Sequence, residues 1–175
     1  MDAAPANLPF HVDLQVSADA GELPDGADWS RWAGAALDIA AARERTADRL
    51  TVRIVGDAES QELNKTYRQM DSATNVLAFP GPEKTAVPAG EALELGDLVI
   101  CLPVVYAEAQ MQHKRPLAHI AHLVVHGTLH LLGFDHDDDE TAEQMEQLET
   151  RIMRRLGFPD PYGGEQGNRT VTERT

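Results

Sequence analysis

Residues 116–132 constrain this chain most, because the segment has a helical pattern and is apolar on nearly every side. Leu117, Ile120, Leu123, Val124, Val125, Leu129, Leu131 and Leu132 leave it no wide polar face. A helix of that kind is stable only when neighbours bury it, so the rest of the chain has to enclose it. The same segment carries His119, His122, His126 and His130. Imidazoles buried among aliphatic side chains are costly unless each finds a partner. Gly127, mid-segment, costs roughly 1 kcal/mol against alanine in a helix, which points to close packing or to space kept open.

The remaining segments supply what such a helix needs. Val12, Leu14 and Val16 alternate along residues 11–17, and Leu50, Val52 and Ile54 repeat that strand period. Asp28 reads as the N-cap of an Ala-rich helix running to about Arg45. Asp57 reads as the cap of a second helix, with Leu63, Tyr67 and Met70 on one face. A short buried strand is expected from Asn75 to Phe79, an exposed loop from Pro80 to about Glu91, and a strand over residues 95–102. Helices follow from about Val104 to Gln112, over residues 116–132, and from the acidic stretch at residues 137–140 to Gly157. The last has Met145, Leu148, Ile152 and Leu156 as its apolar stripe. At 175 residues the chain suits one domain with a substantial core. The expectation is a single-domain α+β fold, a small mixed β-sheet packed with about five α-helices, over residues 1–162. Residues 163–175 read as a disordered tail.

Three histidines point to chemistry. In His126-Gly-Thr-Leu-His130-Leu-Leu-Gly-Phe-Asp-His136, the first two project from one helix face a turn apart. Gly133 ends the helix, since glycine readily takes the left-handed cap conformation, and the chain turns back with His136. Three imidazoles and a fourth position left to water form the pattern of a catalytic zinc, one Zn2+ per chain, sited on a C-terminal helix and its following turn. Nickel, copper and iron also accept such a set. The H-x3-H-x5-H spacing occurs in metzincin peptidases, but their general-base glutamate is Gly127 here, which removes the peptidase reading.

Charge and composition limit the partners. The formal charge is −14 with a sequence pI near 4.7, so general affinity for nucleic acid is not expected, and no DNA partner is. Any RNA would meet a local basic surface, with Lys65, Lys114 and Arg115 as candidates. No apolar run approaches the ~20 residues of a membrane helix, and the first residues lack the pattern of a signal peptide. Cys101 is the only cysteine, which suits a reducing cytoplasm.

The block His126–His136, with Asp135 before the last histidine, resembles the signature of the YbeY family of bacterial rRNA-processing endoribonucleases. Glu62-Leu-Asn-Lys-Thr-Tyr-Arg68, Asp71, Thr74-Asn-Val-Leu-Ala-Phe-Pro80 and Leu95-Gly-Asp-Leu-Val-Ile100 agree with it in order, and the similarity spans about residues 50 to 162. Met70 and Ala73 depart from the family pattern, where a basic residue and a proline are frequent. The resemblance implies a single α+β domain with zinc on His126, His130 and His136. It also implies action on single-stranded RNA in maturing the 3′ end of 16S rRNA and in ribosome quality control, with the small ribosomal subunit and its assembly proteins as partners. It gives Arg68 a catalytic or substrate-binding role, for which a guanidinium holding a phosphate is the physical reason.

Asp135 either orients a ligand histidine, acts as a base, or caps the turn. His119 and His122 read as core residues or as supports behind the ligands, Asp97 as a structural residue at the sheet edge, and residues 137–140 as a solvated helix start. Two alternatives remain: a ribosome-assembly factor with a mainly structural zinc, and a metal-dependent hydrolase of another bond.

Overall fold

The computed structural model describes residues 10–40, 49–82, 88, 91, 93–134 and 137–163. In chain order the elements are β1 (His11–Val16), α1 (Trp29–Ala40), β2 (Arg49–Val55), α2 (Asp57–Arg68), β3 (Val76–Pro80), β4 (Glu94–Cys101), α3 (Leu102–Met111), α4 (Pro116–Leu131) and α5 (Asp139–Arg155). The four strands lie in the order β1-β2-β4-β3, with β1, β2 and β4 parallel and β3 antiparallel to β4. Among the described residues the fold is thus α+β, with a mixed sheet and five helices, as expected. No described helix is long and apolar enough to cross a membrane.

The two faces of the sheet are covered unequally. Leu50, Val52, Ile54, Leu98 and Ile100 point to one face and are fully buried beneath α1 and α4, on which α5 packs. Trp32, Ala33 and Ala36 of α1 and Val124, Val125 and Leu129 of α4 complete that core. The other face carries a smaller cluster of Val55, Leu77, Val99 and Cys101, against which Leu63 of α2 and Val104 of α3 pack. α4 is therefore enclosed, as its composition requires. Gly127 permits this, since a Cβ there would stand 2.6 Å from Cδ2 of the buried Leu98.

Several local expectations change in the tertiary setting. Asp28 does cap α1, accepting from the Arg31 N–H at 3.2 Å. Asp57 does not cap α2: Gly56 holds the cap position, and Asp57 instead accepts from the Cys101 thiol at 3.4 Å. Tyr67 and Met70 are more than half exposed, and α2 buries Ser60 and Asn64 in place of an apolar stripe. Those two side chains hold the following loop. Ser60 Oγ donates to the Thr74 carbonyl and accepts from its N–H, while Asn64 Nδ2 donates to the Ser72 carbonyl.

On β1 only Val12 is buried, because this is an edge strand whose Leu14 and Val16 run past the helices. Asp97 lies away from the sheet edge, on the interior strand β4 opposite Thr51 and Phe79. α3 begins at Leu102, earlier than the sequence suggests. The continuation of α1 beyond residue 40, most of the loop before β4 and the tail from residue 164 lie outside the described residues.

The contact of Gly127 with Leu98 yields a prediction. Gly127→Ala gains roughly 1 kcal/mol of helix propensity, but overpacking a full core costs about 1–3 kcal/mol. Net destabilisation is expected, read as a lower urea midpoint. A raised midpoint would show that Leu98 moves aside freely.

Candidate active site

The site is built where α4 passes the outer edge of the sheet. His126 and His130 sit one turn apart on α4 with ring centroids 4.9 Å apart and planes at 77°. Both line a cleft of about 590 Å³ whose opposite wall is β3 and the residue before it, including Asn75, Val76 and Ala78. The helix ends as its glycine predicts: Gly133 has φ +104°, and the Phe134 N–H reaches the Leu129 carbonyl.

Arg68 reaches this cleft from the other face of the sheet. It is the last residue of α2, and Gln69 follows in the left-handed conformation at φ 58°. β3 is an outer strand of the sheet, so the Ala78 carbonyl can accept from Arg68 Nη2, at 3.0 Å. The guanidinium also lies 5.5 Å from the centre of the Phe79 ring. The hydrogen bond uses one of its five donors, and Arg68 lines the same cleft as His126 and His130.

Behind the histidines lies a carboxylate that the sequence reading passed over. Glu149 of α5 is fully buried and accepts from His126 Nδ1 at 2.6 Å, from His122 Nε2 at 2.7 Å and from the Tyr162 hydroxyl. Burial by itself would raise its pKa, but the hydrogen bonds and charges of His122 and His126 prevail and hold it well below the usual carboxylate range. An ionised carboxylate only accepts, so His126 carries its proton on Nδ1, and Nε2 is the nitrogen that a metal would take. A carboxylate behind a metal-binding imidazole is the usual way of fixing its tautomer and ring orientation. Burial lowers the pKa of His122. The Tyr162 hydroxyl is driven far above its ordinary value, first by burial and then by Glu149. In the sequence Glu149 looks like one more acid of an acidic helix, though it falls on the buried side, between Met145 and Ile152.

A second carboxylate supports the opposite wall. Glu108 of α3 accepts from His119 Nε2 at 2.8 Å and from Asn75 Nδ2 at 3.1 Å, tying α3, α4 and the cleft-lining Asn75 together. His119 is thus a hydrogen-bonded core residue. Lys114, read as a candidate RNA contact, instead donates to the Pro161 carbonyl at 3.0 Å from a half-buried position. Burial lowers its pKa against the pull of Glu108 and Asp160. Lys65 and Arg115 are exposed. Asp138 caps α5 through a reciprocal pair of hydrogen bonds with Thr141, so the acidic stretch is a helix start.

Asp135 and His136 lie outside the described residues. Among the described residues no group of three or more His, Cys, Asp or Glu is arranged to hold a metal. The two described histidines nevertheless fit one: they are a turn apart, share a cleft, and one is backed by a carboxylate.

The Glu108 contacts predict a pH effect. Burial opposes ionisation of this carboxyl, but hydrogen bonds from His119 and Asn75 outweigh it and lower the pKa in the folded state. The stabilisation is therefore present above the unfolded-state value of about 4.3 and is lost as pH falls towards the lower folded value. Glu108→Gln should flatten part of the stability loss below about pH 4, followed by urea denaturation across pH. An unchanged acid limb would refute this.

The fold resembles the solution structure of TM1509 from Thermotoga maritima, with a TM-score of 0.53 at 22% identity over 84% of this chain and 92% of that one. A family model described as Endoribonuclease YbeY matches residues 15–157. With that match running from β1 to the end of α5, the chain belongs to the YbeY endoribonuclease family.

Proposed function

We propose that the protein is a metal-dependent, single-strand-specific endoribonuclease acting in rRNA processing, notably in maturing the 3′ end of 16S rRNA, and in ribosome quality control. The observation that carries this reading, beside family membership, is the convergence of Arg68, His126 and His130 on one cleft from opposite faces of the sheet. The reading covers one hydrolase domain over residues 1–162, with residues 163–175 as a tail. It assigns the protein to the cytoplasm, with the small ribosomal subunit and its assembly proteins as partners.

In this reading His126, His130 and His136 hold one zinc ion. Such an ion supplies a Lewis acid for charge developing on a phosphate oxygen. Arg68 binds the scissile phosphate through the donors that Ala78 does not occupy, and its anchoring on Ala78 and Phe79 limits the freedom lost on binding. Glu149 keeps the His126 ring turned with Nε2 outward, and the Tyr162 hydroxyl donates to the same carboxylate. Asp135 is assigned as the base or orienting carboxylate beside His136. The net charge of −14 opposes RNA binding at long range, which favours a substrate presented by a ribosomal particle. The same charge favours the second reading, an assembly factor with a mainly structural zinc.

The test is cleavage of a single-stranded RNA carrying a precursor 16S 3′ end, with wild type and His130→Ala purified in parallel and loaded with zinc. Cutting by wild type alone is expected. Equal cutting by both would mean contamination or metal-independent activity, and cutting by neither, with ribosomal particles also present, would favour the assembly-factor reading. Arg68→Ala should abolish cleavage while retaining stoichiometric zinc; retained cleavage would remove Arg68 from the mechanism. Glu149→Gln should weaken zinc binding by roughly 10–100-fold, measured by competition with a chelating dye. Unaltered affinity would reduce Glu149 to a packing residue.

A further inference from the structure

We propose that Tyr67, standing against Phe79, is a stacking subsite for a nucleobase next to the phosphate engaged by Arg68. This rests on the RNA reading above and adds a binding site to it. Tyr67 is 56% exposed, and Met70 beside it 57%, although the sequence pattern of α2 suggests a buried stripe. The Tyr67 ring is held edge-on to Phe79, with centroids 5.2 Å apart and planes at 71°. The contact restricts the phenol ring while the residue stays more than half exposed.

The position matters as much as the exposure. Phe79 packs with the cluster on the α2 face of the sheet, while Val76 and Ala78 of the same strand pack towards α4. Arg68 belongs to both sides. Its guanidinium lies over Phe79, bonds the Ala78 carbonyl and lines the histidine cleft. A single strand whose phosphate lies in the cleft at Arg68 therefore has Tyr67 within the reach of a neighbouring base, around the edge of β3.

The charge of the protein gives this site its purpose. A net charge of −14 works against general phosphate neutralisation, the usual source of RNA affinity. Base–aromatic stacking adds affinity that does not require phosphate neutralisation, and it is tolerant of sequence. It also selects single strands, because bases paired in a duplex do not splay onto a side chain. The Arg68 guanidinium over Phe79, the ring that Tyr67 touches, favours a nucleic acid over an apolar peptide as the occupant.

The test uses the full chain with zinc and a short fluorescein-labelled single-stranded RNA of mixed sequence. Binding is read by anisotropy, and RNA integrity is checked after each titration. Tyr67→Ala should weaken binding roughly tenfold, and Tyr67→Phe should retain it. A scan with single abasic nucleotides should find one position that weakens wild-type binding by a similar factor and has no effect in Tyr67→Ala. That coupling distinguishes stacking from an indirect structural effect, and a thermal melt of Tyr67→Ala controls for folding. If wild type binds RNA but Tyr67→Ala binds within about twofold of it, or no abasic position couples to Tyr67, the subsite is wrong. The exposed patch would then belong to a protein partner. If wild type binds no RNA, alone or on ribosomal particles, the nuclease reading fails and the subsite with it.

Discussion

The enclosure of α4 is the constraint on which the rest of the structure depends. A helix with Ile120, Leu123, Val124, Val125 and Leu129 all buried needs partners on several sides at once. The sheet takes one side through Leu98 and Ile100, α1 and α5 take others, and α3 closes its start. Gly127 sets how near the sheet lies, because its missing Cβ is the space that the Leu98 methyls occupy. That approach forms the cleft: with α4 drawn against β4, the outer strand β3 becomes the wall facing His126 and His130.

Burying a helix that carries four histidines creates a second requirement, and two carboxylates meet it at one ring nitrogen of each of three of them. Glu108 takes His119, and Glu149 takes His122 and His126. The fully buried Glu149 would be costly without its donors, and the buried imidazoles would be costly without the acids. Each carboxylate thereby connects a buried helix to something outside it. Glu108 leads to Asn75 on the wall of the cleft, and Glu149 leads to Tyr162 in the segment after α5. The hydrogen bonds that pair these imidazoles also position the site, while Nδ1 of His119 and Nδ1 of His122 stay buried without a hydrogen-bond partner among the described residues.

The outer position of β3 lets the two faces of the sheet cooperate. α2 lies on the face away from the histidines, yet its last residue bonds a β3 carbonyl and enters their cleft. Ser60 and Asn64 secure this arrangement by fixing the loop between α2 and β3. Tyr67 follows them at helical spacing on that same side of α2, yet in the last turn of the helix it is more than half exposed.

What the sequence by itself determined was what depends on local period. Alternation marked β2, a ring of leucine, isoleucine and valine marked α4 as buried, helical spacing put His126 and His130 on one face, and Gly133 marked the end of the helix. Each of these follows from residues within a turn or two of one another, where covalent geometry sets the relation. The tertiary structure alone decided that Glu149 meets His126 from 23 positions away, that Arg68 crosses to the histidine cleft, and that Lys114 is held by Pro161 instead of facing solvent. It also decided that Asp57 meets Cys101 instead of capping its helix, and that Leu14 and Val16 are left exposed on an outer strand. These depend on the order of the strands and on the distance at which helices settle on them, which many weak contacts set jointly and no short stretch of sequence specifies.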